Sequence, residues 1–249
     1  MHWLANRIKD LLFPKFCAGC GEEGNWLCAA CFQKIDIFKT PAYGEDKAVA
    51  NLDVVTALFD YGENTVSKLI QMFKYNYITE IADVFEKIIF ESVIPTESAD
   101  ERRNPLHSRS VPARGGSALG GKGSLGYARD DNWQGFTIIP VPLHLRRERE
   151  RGFNQSEIIA ELFAKKFALE VNKNLRRVIY TVQQVKLSGE ERRANLKNAF
   201  DFRQNGQAIP EKVLLVDDVF TTGATMQECA KVLKNNGVKV VWGLALARG

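Results

Sequence analysis

The sequence predicts an α/β fold in which a mainly parallel, twisted sheet is flanked by helices. The first observation is the segment VLLVDDVFTTGAT over 213–225, where an apolar run leads through a Gly-containing loop into a helix beginning near Ala224. The second is an Asn-Asn-Gly stop over 235–237, followed by an apolar strand over 238–246. Strand, helix and strand in this order form a βαβ unit of a parallel sheet. The third is a pair of C-x2-C motifs near the N-terminus, which predicts a small metal-binding module.

The composition is that of a globular protein that can bury a core. The chain has 249 residues, of which 45% are hydrophobic. No apolar run approaches the ~20 residues that a membrane-spanning helix needs, and the apolar pattern of the first thirteen residues is interrupted by Arg7, Lys9 and Asp10. We therefore expect a soluble, cytoplasmic protein with no membrane span.

The charge is unevenly distributed along the chain. The net charge is +4, and residues 144–203 hold fourteen Lys or Arg against eight Asp or Glu, so this part carries +6 and the rest −2. Such a field attracts pyrophosphate groups or a nucleic-acid backbone. Charge alone is equally compatible with a solvated basic face.

The C-x2-C pairs are Cys17 with Cys20 and Cys28 with Cys31. Two such knuckles can place four thiolates tetrahedrally around one zinc ion, and a module this small needs the metal to fold. A redox pair and structural disulfides are the alternatives; the motifs lie in a Gly-rich turn region, and no export signal accompanies them. Cys229 lies in the helix after the 221–225 loop and is predicted to be a small buried hydrophobe.

The chain between the module and the insertion predicts one strand and two helices. Residues 36–50 have the composition of a linker, 54–61 of a strand, and 65–75 and 81–90 of amphipathic helices. At the end of the first helix, Lys74 and Tyr75 can reach a ligand, but we interpret them as a helix-end lysine and a packing tyrosine. Residues 95–132 are rich in Gly, Ser and Pro and predict a mobile insertion.

A strand over 137–142 is followed by an arginine-rich stretch that we predict to be a loop. Asn154, with Glu157 three residues later, predicts the start of a helix over 155–167. Guanidinium groups favour bidentate phosphate contacts, so Arg149 and Arg151 are candidates for binding a pyrophosphate. A solvated basic turn is the alternative.

The motif over 213–225 has the chemistry of a phosphoribosyl site. Asp217 and Asp218 end a predicted buried strand, and carboxylates accept hydrogen bonds from vicinal hydroxyls such as those of ribose. The loop that follows offers threonine hydroxyls, a glycine and the amides of a helix N-terminus to a phosphate. At these residues the chain resembles the motif with which type I phosphoribosyltransferases bind 5-phosphoribosyl 1-pyrophosphate (PRPP). The alternative is a buried strand that ends in two solvated acids.

Four motifs together resemble the ComF family, including its GntX-like members. They are the C-x2-C pairs, PVPLHxxRxRxRGFNQS, QxxLSxxxRxxNLKNAF and VLLVDDVFTTGAT. The resemblance covers most of the chain outside 95–132. It implies a zinc-ribbon module over 1–40 and a type I phosphoribosyltransferase-like domain over 50–249. It also implies an association with natural competence, with single-stranded DNA and with a helicase partner.

The resemblance also implies roles for individual residues. Asp217 and Asp218 would bind ribose and act as the catalytic pair, and Mg²⁺ would be carried on the PRPP oxygens. The 176–200 region would form the mobile loop, or hood, over the substrate. The 5′-phosphate would be held by Thr221, Thr222, Gly223, Ala224 and Thr225, and the zinc by Cys17, Cys20, Cys28 and Cys31.

Two functions are consistent with the sequence. The first is a PRPP-binding, phosphoribosyltransferase-like protein acting in DNA uptake or utilisation, with an acceptor that the sequence does not name. The second is a non-catalytic module that binds single-stranded DNA or senses PRPP, because a fold does not by itself fix a function.

Overall fold

A five-stranded parallel sheet forms the centre of the computed structural model, which describes residues 14–35, 51–62, 64–75, 80–92, 133–180, 195–204 and 206–249. The strands are β1 (Val54–Asp60), β2 (Phe136–Pro140), β3 (Glu170–Val171), β4 (Leu175–Arg177), β5 (Phe200–Phe202), β6 (Lys212–Phe220) and β7 (Val240–Arg248). The sheet order is β1-β7-β6-β2-β3, and every pairing in it is parallel. β4 and β5 form a separate antiparallel pair. The predicted α/β class is confirmed.

Helices and the small β4-β5 pair cover the two faces of the sheet. The helices are α1 (Ala29–Phe32), α2 (Asn64–Tyr75), α3 (Ile81–Ser92), α4 (Leu145–Arg151), α5 (Gln155–Phe167) and α6 (Ala224–Asn235). The apolar residues of α2, α3 and α5 share one core cluster with Leu214 and Val216 of β6. Those of α6 and the β4-β5 pair share the other with Val213 and Leu215. Burial on both faces explains why β6 reads as a continuous apolar run.

The helices begin and end where local signals predict. The buried face of α2 consists of Val66, Leu69, Ile70 and Phe73, all at 0% exposure, and these are the residues that the helical period selects. α5 has the predicted bounds, and the Asn154 side chain caps it by accepting a hydrogen bond from the Ser156 amide at 3.1 Å.

Two predictions about local structure are wrong. The arginine-rich stretch forms the short helix α4 instead of a loop, because His144 caps it through Nδ1 and Gly152 ends it at a φ of 76°. An Arg146–Glu150 pair at 3.2 Å spans one turn of this helix. β6 also continues past the acidic pair to Phe220, because Val219 and Phe220 still pair with β7. Asp217 and Asp218 therefore lie within the strand, shortly before its carboxyl end, instead of at its last two positions.

The cysteine-rich module packs on the ends of α2 and α3. Ala18 and Ile35 are buried in the same core cluster as the apolar faces of these helices. Glu80, beside the start of α3, forms an ion pair with Lys15 at 2.9 Å and accepts a hydrogen bond from Trp26 Nε1 at 3.2 Å. The module is thus attached to the domain by apolar burial and by polar contacts to one glutamate.

Several predicted segments lie outside the described residues. These are the N-terminal apolar stretch, the 36–50 linker, the 95–132 insertion and the centre of the 176–200 region. Within the described ranges, no helix combines the length and apolar character that crossing a membrane requires.

Candidate functional site

The four cysteines of the N-terminal module form a compact cluster. Their Sγ atoms all lie within 4.8 Å of one another, and those of Cys20 and Cys28 are 3.7 Å apart. Four thiolates that bind one zinc ion tetrahedrally at about 2.3 Å have sulfur atoms separated by roughly 3.8 Å. The residues therefore fit a four-cysteine metal centre, and Cys17, Cys20, Cys28 and Cys31 are brought together as predicted. Cys229 is fully buried in the core beside the sheet, which confirms its separate role.

Hydrogen bonds prepare this cluster for a metal. Burial raises the pKa of the Cys17 thiol, but hydrogen bonds from the backbone amides of Cys28, Cys20 and Gly19 outweigh burial and lower the pKa to about 6. The hydrogen bond with the Cys28 thiol, followed by burial, raises the pKa of Cys31 to about 12. The Cys17 sulfur is thus stabilised as a thiolate beside the protonated thiol of Cys31. A divalent metal would replace the shared protons.

The two carboxylates of β6 have different partners. Successive strand residues point to opposite faces of a sheet. The Asp217 Oδ1 atom accepts hydrogen bonds from the Ser156 hydroxyl at 2.8 Å and from the Asp218 amide at 2.9 Å. The Asp218 Oδ1 atom lies 2.8 Å from the ammonium of Lys74, and the two side chains are 12% and 19% exposed. One acid is therefore bound to neutral donors and the other to a cation.

Burial dominates the electrostatics of Asp217. Burial and then the charge of Asp218 raise the pKa of the Asp217 carboxyl to about 7, against the opposing effects of the Ser156 hydrogen bond and the Lys74 charge. With its pKa raised, this carboxyl keeps its proton to a higher pH than an ordinary aspartate, and in the protonated form it can donate as well as accept a hydrogen bond. Such a perturbed group in the carboxyl-terminal half of a parallel strand is typical of a functional site.

Lys74 belongs to this site, although we interpreted it from the sequence as a helix-end lysine. It lies in the last turn of α2, and its ammonium pairs with Asp218 across 144 positions of sequence. Burial opposes the charge, but Asp218 and then Asp217 raise the pKa of Lys74, so it is a cation. The one indication in the sequence was a charged residue, Lys74, directly after Phe73 of the apolar helix face. Nothing local identified its partner.

Ser156 is a second residue that the sequence analysis missed. Asn154, Gln155 and Ser156 are 3%, 1% and 4% exposed at the start of α5. The Asn154 side chain also donates to the Val141 carbonyl at 3.2 Å, which attaches the helix start to the end of β2. Buried polar residues require partners. Three consecutive polar residues at a helix start were therefore a signal for a polar site.

The loop after β6 has the geometry that the motif predicts. Gly223 is the N-cap of α6 with a φ of 70°, and no side chain caps this helix start with a hydrogen bond. A Cβ at this position would lie 2.5 Å from Phe220 Cζ, so only glycine fits. Thr221 and Thr222 are exposed, Gly223 and Ala224 are buried, and Thr225 is partly buried. The amides of the first turn are available to an anion at the same sheet edge as the acids.

The two candidate arginines occupy different surroundings. Arg151 donates to Gln155 Oε1 at 3.1 Å, and its guanidinium lies 5.3 Å from the centre of the Tyr75 ring. Tyr75 follows Lys74, so Arg151 lies beside the last turn of α2. Arg149 instead lines a shallow cavity of about 560 Å³ with His144 and other residues of α4, and Asp217 and Asp218 are not among the described residues that line it.

The chain is similar to proteins of competence and DNA utilisation. Competence protein F of Haemophilus influenzae is 42% identical over 114 residues, which cover 44% of this chain and 50% of that protein. DNA utilization protein YhgH of Escherichia coli K12 is 37% identical over 112 residues, and competence protein ComFC of Streptococcus pneumoniae is 31% identical over 121 residues; each covers 45% of this chain and 48% of the relative.

These comparisons confirm the resemblance to the ComF family that the motifs indicate. The chain spans about half the length of the curated relatives that it matches. No family model matches the chain.

Proposed function

We propose that this chain binds PRPP at the carboxyl end of β6 and acts in competence or DNA utilisation. The observation that carries the proposal is the adjacency of the acidic pair to the uncapped start of α6, with Gly223 at a φ of 70° between them. Carboxylates suit the ribose hydroxyls, and helix amides suit a phosphate. The names of the relatives support the cellular role.

In this proposal each part of the ligand meets a different part of the pocket. Asp217 and Asp218 accept hydrogen bonds from the ribose hydroxyls, and the loop over 221–225 binds the 5′-phosphate. Arg151, and Arg149 with a change in position, contribute positive charge to the pyrophosphate end. Mg²⁺ is carried on the PRPP oxygens, because it retains water ligands and favours phosphate oxygens. The four-cysteine cluster holds zinc with a structural role.

The reaction to which this pocket is suited is phosphoribosyl transfer. A nitrogen nucleophile forms a bond to C1 of the ribose while the bond from C1 to the pyrophosphate oxygen breaks. Pyrophosphate leaves with the electron pair, and the nitrogen releases a proton to solvent. Asp217 and Asp218 orient the ribose, and the phosphate loop fixes its other end. Positive charge near the pyrophosphate stabilises the leaving group.

Calorimetric titration with Mg-PRPP tests the proposal. We expect zinc-loaded wild-type protein to bind, and the Asp217→Asn/Asp218→Asn variant to lose binding, because the amides keep the size of the acids but remove their charge. Asp201→Asn, at a half-exposed aspartate outside the pocket, is the matched control and should bind like wild type. Absence of binding by the folded wild type would refute the PRPP site.

A second candidate function is supported by a cluster on α4. The guanidinium of Arg146 lies 4.9 Å from the centre of the Tyr180 ring, and the His144 ring lies 5.1 Å from it. Aromatic and basic groups of this kind stack with the bases of single-stranded nucleic acid. Binding of single-stranded DNA here should weaken steeply with salt and should fall in Tyr180→Ala. DNA affinity that is insensitive to both would refute this candidate.

A further inference from the structure

The last turn of α2 combines a fixed backbone with a long charged side chain. Phe73 is fully buried, and its ring centre lies 5.5 Å from that of Phe85 and 5.3 Å from that of Phe153. The backbone at Lys74 is therefore held by packing on both sides. The Lys74 ammonium stands on a flexible four-carbon stem, so it can change partner while the helix stays in place.

In this structure the ammonium of Lys74 pairs with one of the two neighbouring acids, Asp218. Asp218 is buried and forms its ion pair with Lys74 next to a second carboxyl group, that of Asp217. A buried carboxylate without a partner is costly, and removal of one partner of a buried pair destabilises the site. Lys74 thus fills the role of a counterion for a pocket that has an excess of negative charge.

A sugar bound at the acids would compete with this cation. Ribose hydroxyls donate to the same carboxylate oxygens that Lys74 contacts, and Asp218 Oδ1 lies only 2.8 Å from its ammonium. The displaced ammonium would then lack a partner unless the ligand supplied an anion within reach. The guanidinium of Arg151 lies 5.3 Å from the centre of the neighbouring Tyr75 ring, so Arg151, one of the two arginines proposed for the pyrophosphate, lies on this side of the pocket.

We propose that Lys74 is a ligand-binding residue that moves from Asp218 to the pyrophosphate group of the ligand, and that it selects for a sugar carrying a diphosphate at C1. The proposal rests on the proposed PRPP site. PRPP displaces Lys74 from Asp218 and replaces the lost ion pair with another. Ribose 5-phosphate displaces the same cation but carries no anion at C1 to receive it.

The test measures the affinities of Mg-PRPP and of ribose 5-phosphate for protein variants with single substitutions in α2. Lys74→Met removes the charge and the hydrogen-bond donor. Lys74→Gln removes the charge but keeps a donor for Asp218, and it is the variant to use if Lys74→Met does not fold. Lys68→Met, at an exposed lysine of the same helix, is the matched control. Each protein is titrated calorimetrically with Mg-PRPP and with ribose 5-phosphate, and its fold is checked by thermal unfolding.

We expect both Lys74 variants to bind Mg-PRPP about 10- to 100-fold more weakly than wild type, as for loss of one hydrogen bond to a charged group. Their affinity for ribose 5-phosphate should stay the same or rise, because the sugar no longer competes with a cation for Asp218. Lys68→Met should match wild type for both ligands. A lysine with a structural role only would not weaken the binding of Mg-PRPP while leaving the affinity for ribose 5-phosphate unchanged or higher.

Two results would overturn the inference while leaving the PRPP site intact. One is an equal loss of affinity for both ligands, which would make Lys74 a structural counterion only. The other is unchanged affinity for Mg-PRPP. Failure of the wild type to bind Mg-PRPP would instead refute the proposed function, and the role of Lys74 with it.

Discussion

Replacing Asp217 with asparagine should stabilise the folded protein at alkaline pH. The carboxyl is held beside Asp218 in a poorly solvated position, with Oδ1 accepting from Ser156 and from a backbone amide. Asparagine keeps an oxygen for both donors and resembles the protonated acid in shape. The substitution therefore removes a charge that the fold disfavours while leaving the hydrogen bonds in place.

The direction of the pH dependence follows from the shift in pKa. A carboxyl whose pKa is higher when folded binds its proton more tightly in the folded chain, so its contribution to stability is complete below about pH 4 and is lost as the pH rises to about 7. With pKa values of 3.8 unfolded and about 7 folded, Asp217→Asn should exceed wild type in unfolding free energy by about 2 kcal/mol near pH 5.5 and about 4 kcal/mol near pH 8.5.

Urea unfolding of the zinc-loaded proteins at about pH 5.5, 7 and 8.5 and constant ionic strength measures this difference. Asp201→Asn, at a half-exposed aspartate outside the cluster, serves as the control for removal of a carboxylate. A difference for Asp217→Asn that stayed flat, or that shrank toward alkaline pH, would show that Asp217 is not held against its ionisation and would refute the argument.

Three further outcomes can be checked by simple measurements. Gly223→Ala should lower the unfolding free energy by about 1–3 kcal/mol, since a positive φ and the ring of Phe220 both oppose a Cβ. Chemical denaturation measures this loss, and an unchanged unfolding free energy would contradict the prediction. The purified protein should hold one zinc ion by elemental analysis, and chelation or Cys20→Ser should lower the melting temperature. Glu80→Gln should lower the unfolding free energy by about 1 kcal/mol through loss of the Lys15 ion pair, and an unchanged denaturation midpoint would argue against that contact.

The parts of the fold that depend on local sequence could be predicted. The strand, loop and helix over 213–225 follow from an apolar run, a glycine and a helix start that are contiguous in sequence. The four-cysteine cluster follows from the spacing of its thiols. In both cases the groups that act together lie within about twenty residues, so their pattern is visible without a structure.

The partners of the acids could not be predicted because they are distant in sequence. Ser156 lies 61 positions before Asp217, and Lys74 lies 144 positions before Asp218 on a helix that only the folded chain places near β6. The helix α4 was missed for a different reason. All of its residues except Leu145 are charged, and none of its side chains is fully buried, so no apolar period marked it.

The packing of the cysteine-rich module on α2 and α3 has a consequence for the solubility of the protein. Ala18 and Ile35 cover the apolar faces of α2 and α3, and Gly19 sits so close to Cys31 that a Cβ there would lie 2.6 Å from its sulfur. The shape of this cover is set by the sulfur cluster, and hence by any metal that the cluster binds. A chain without metal would expose adjoining apolar surface of the kind that drives proteins to associate. The supply of metal would then govern how much of the whole protein remains dispersed in solution.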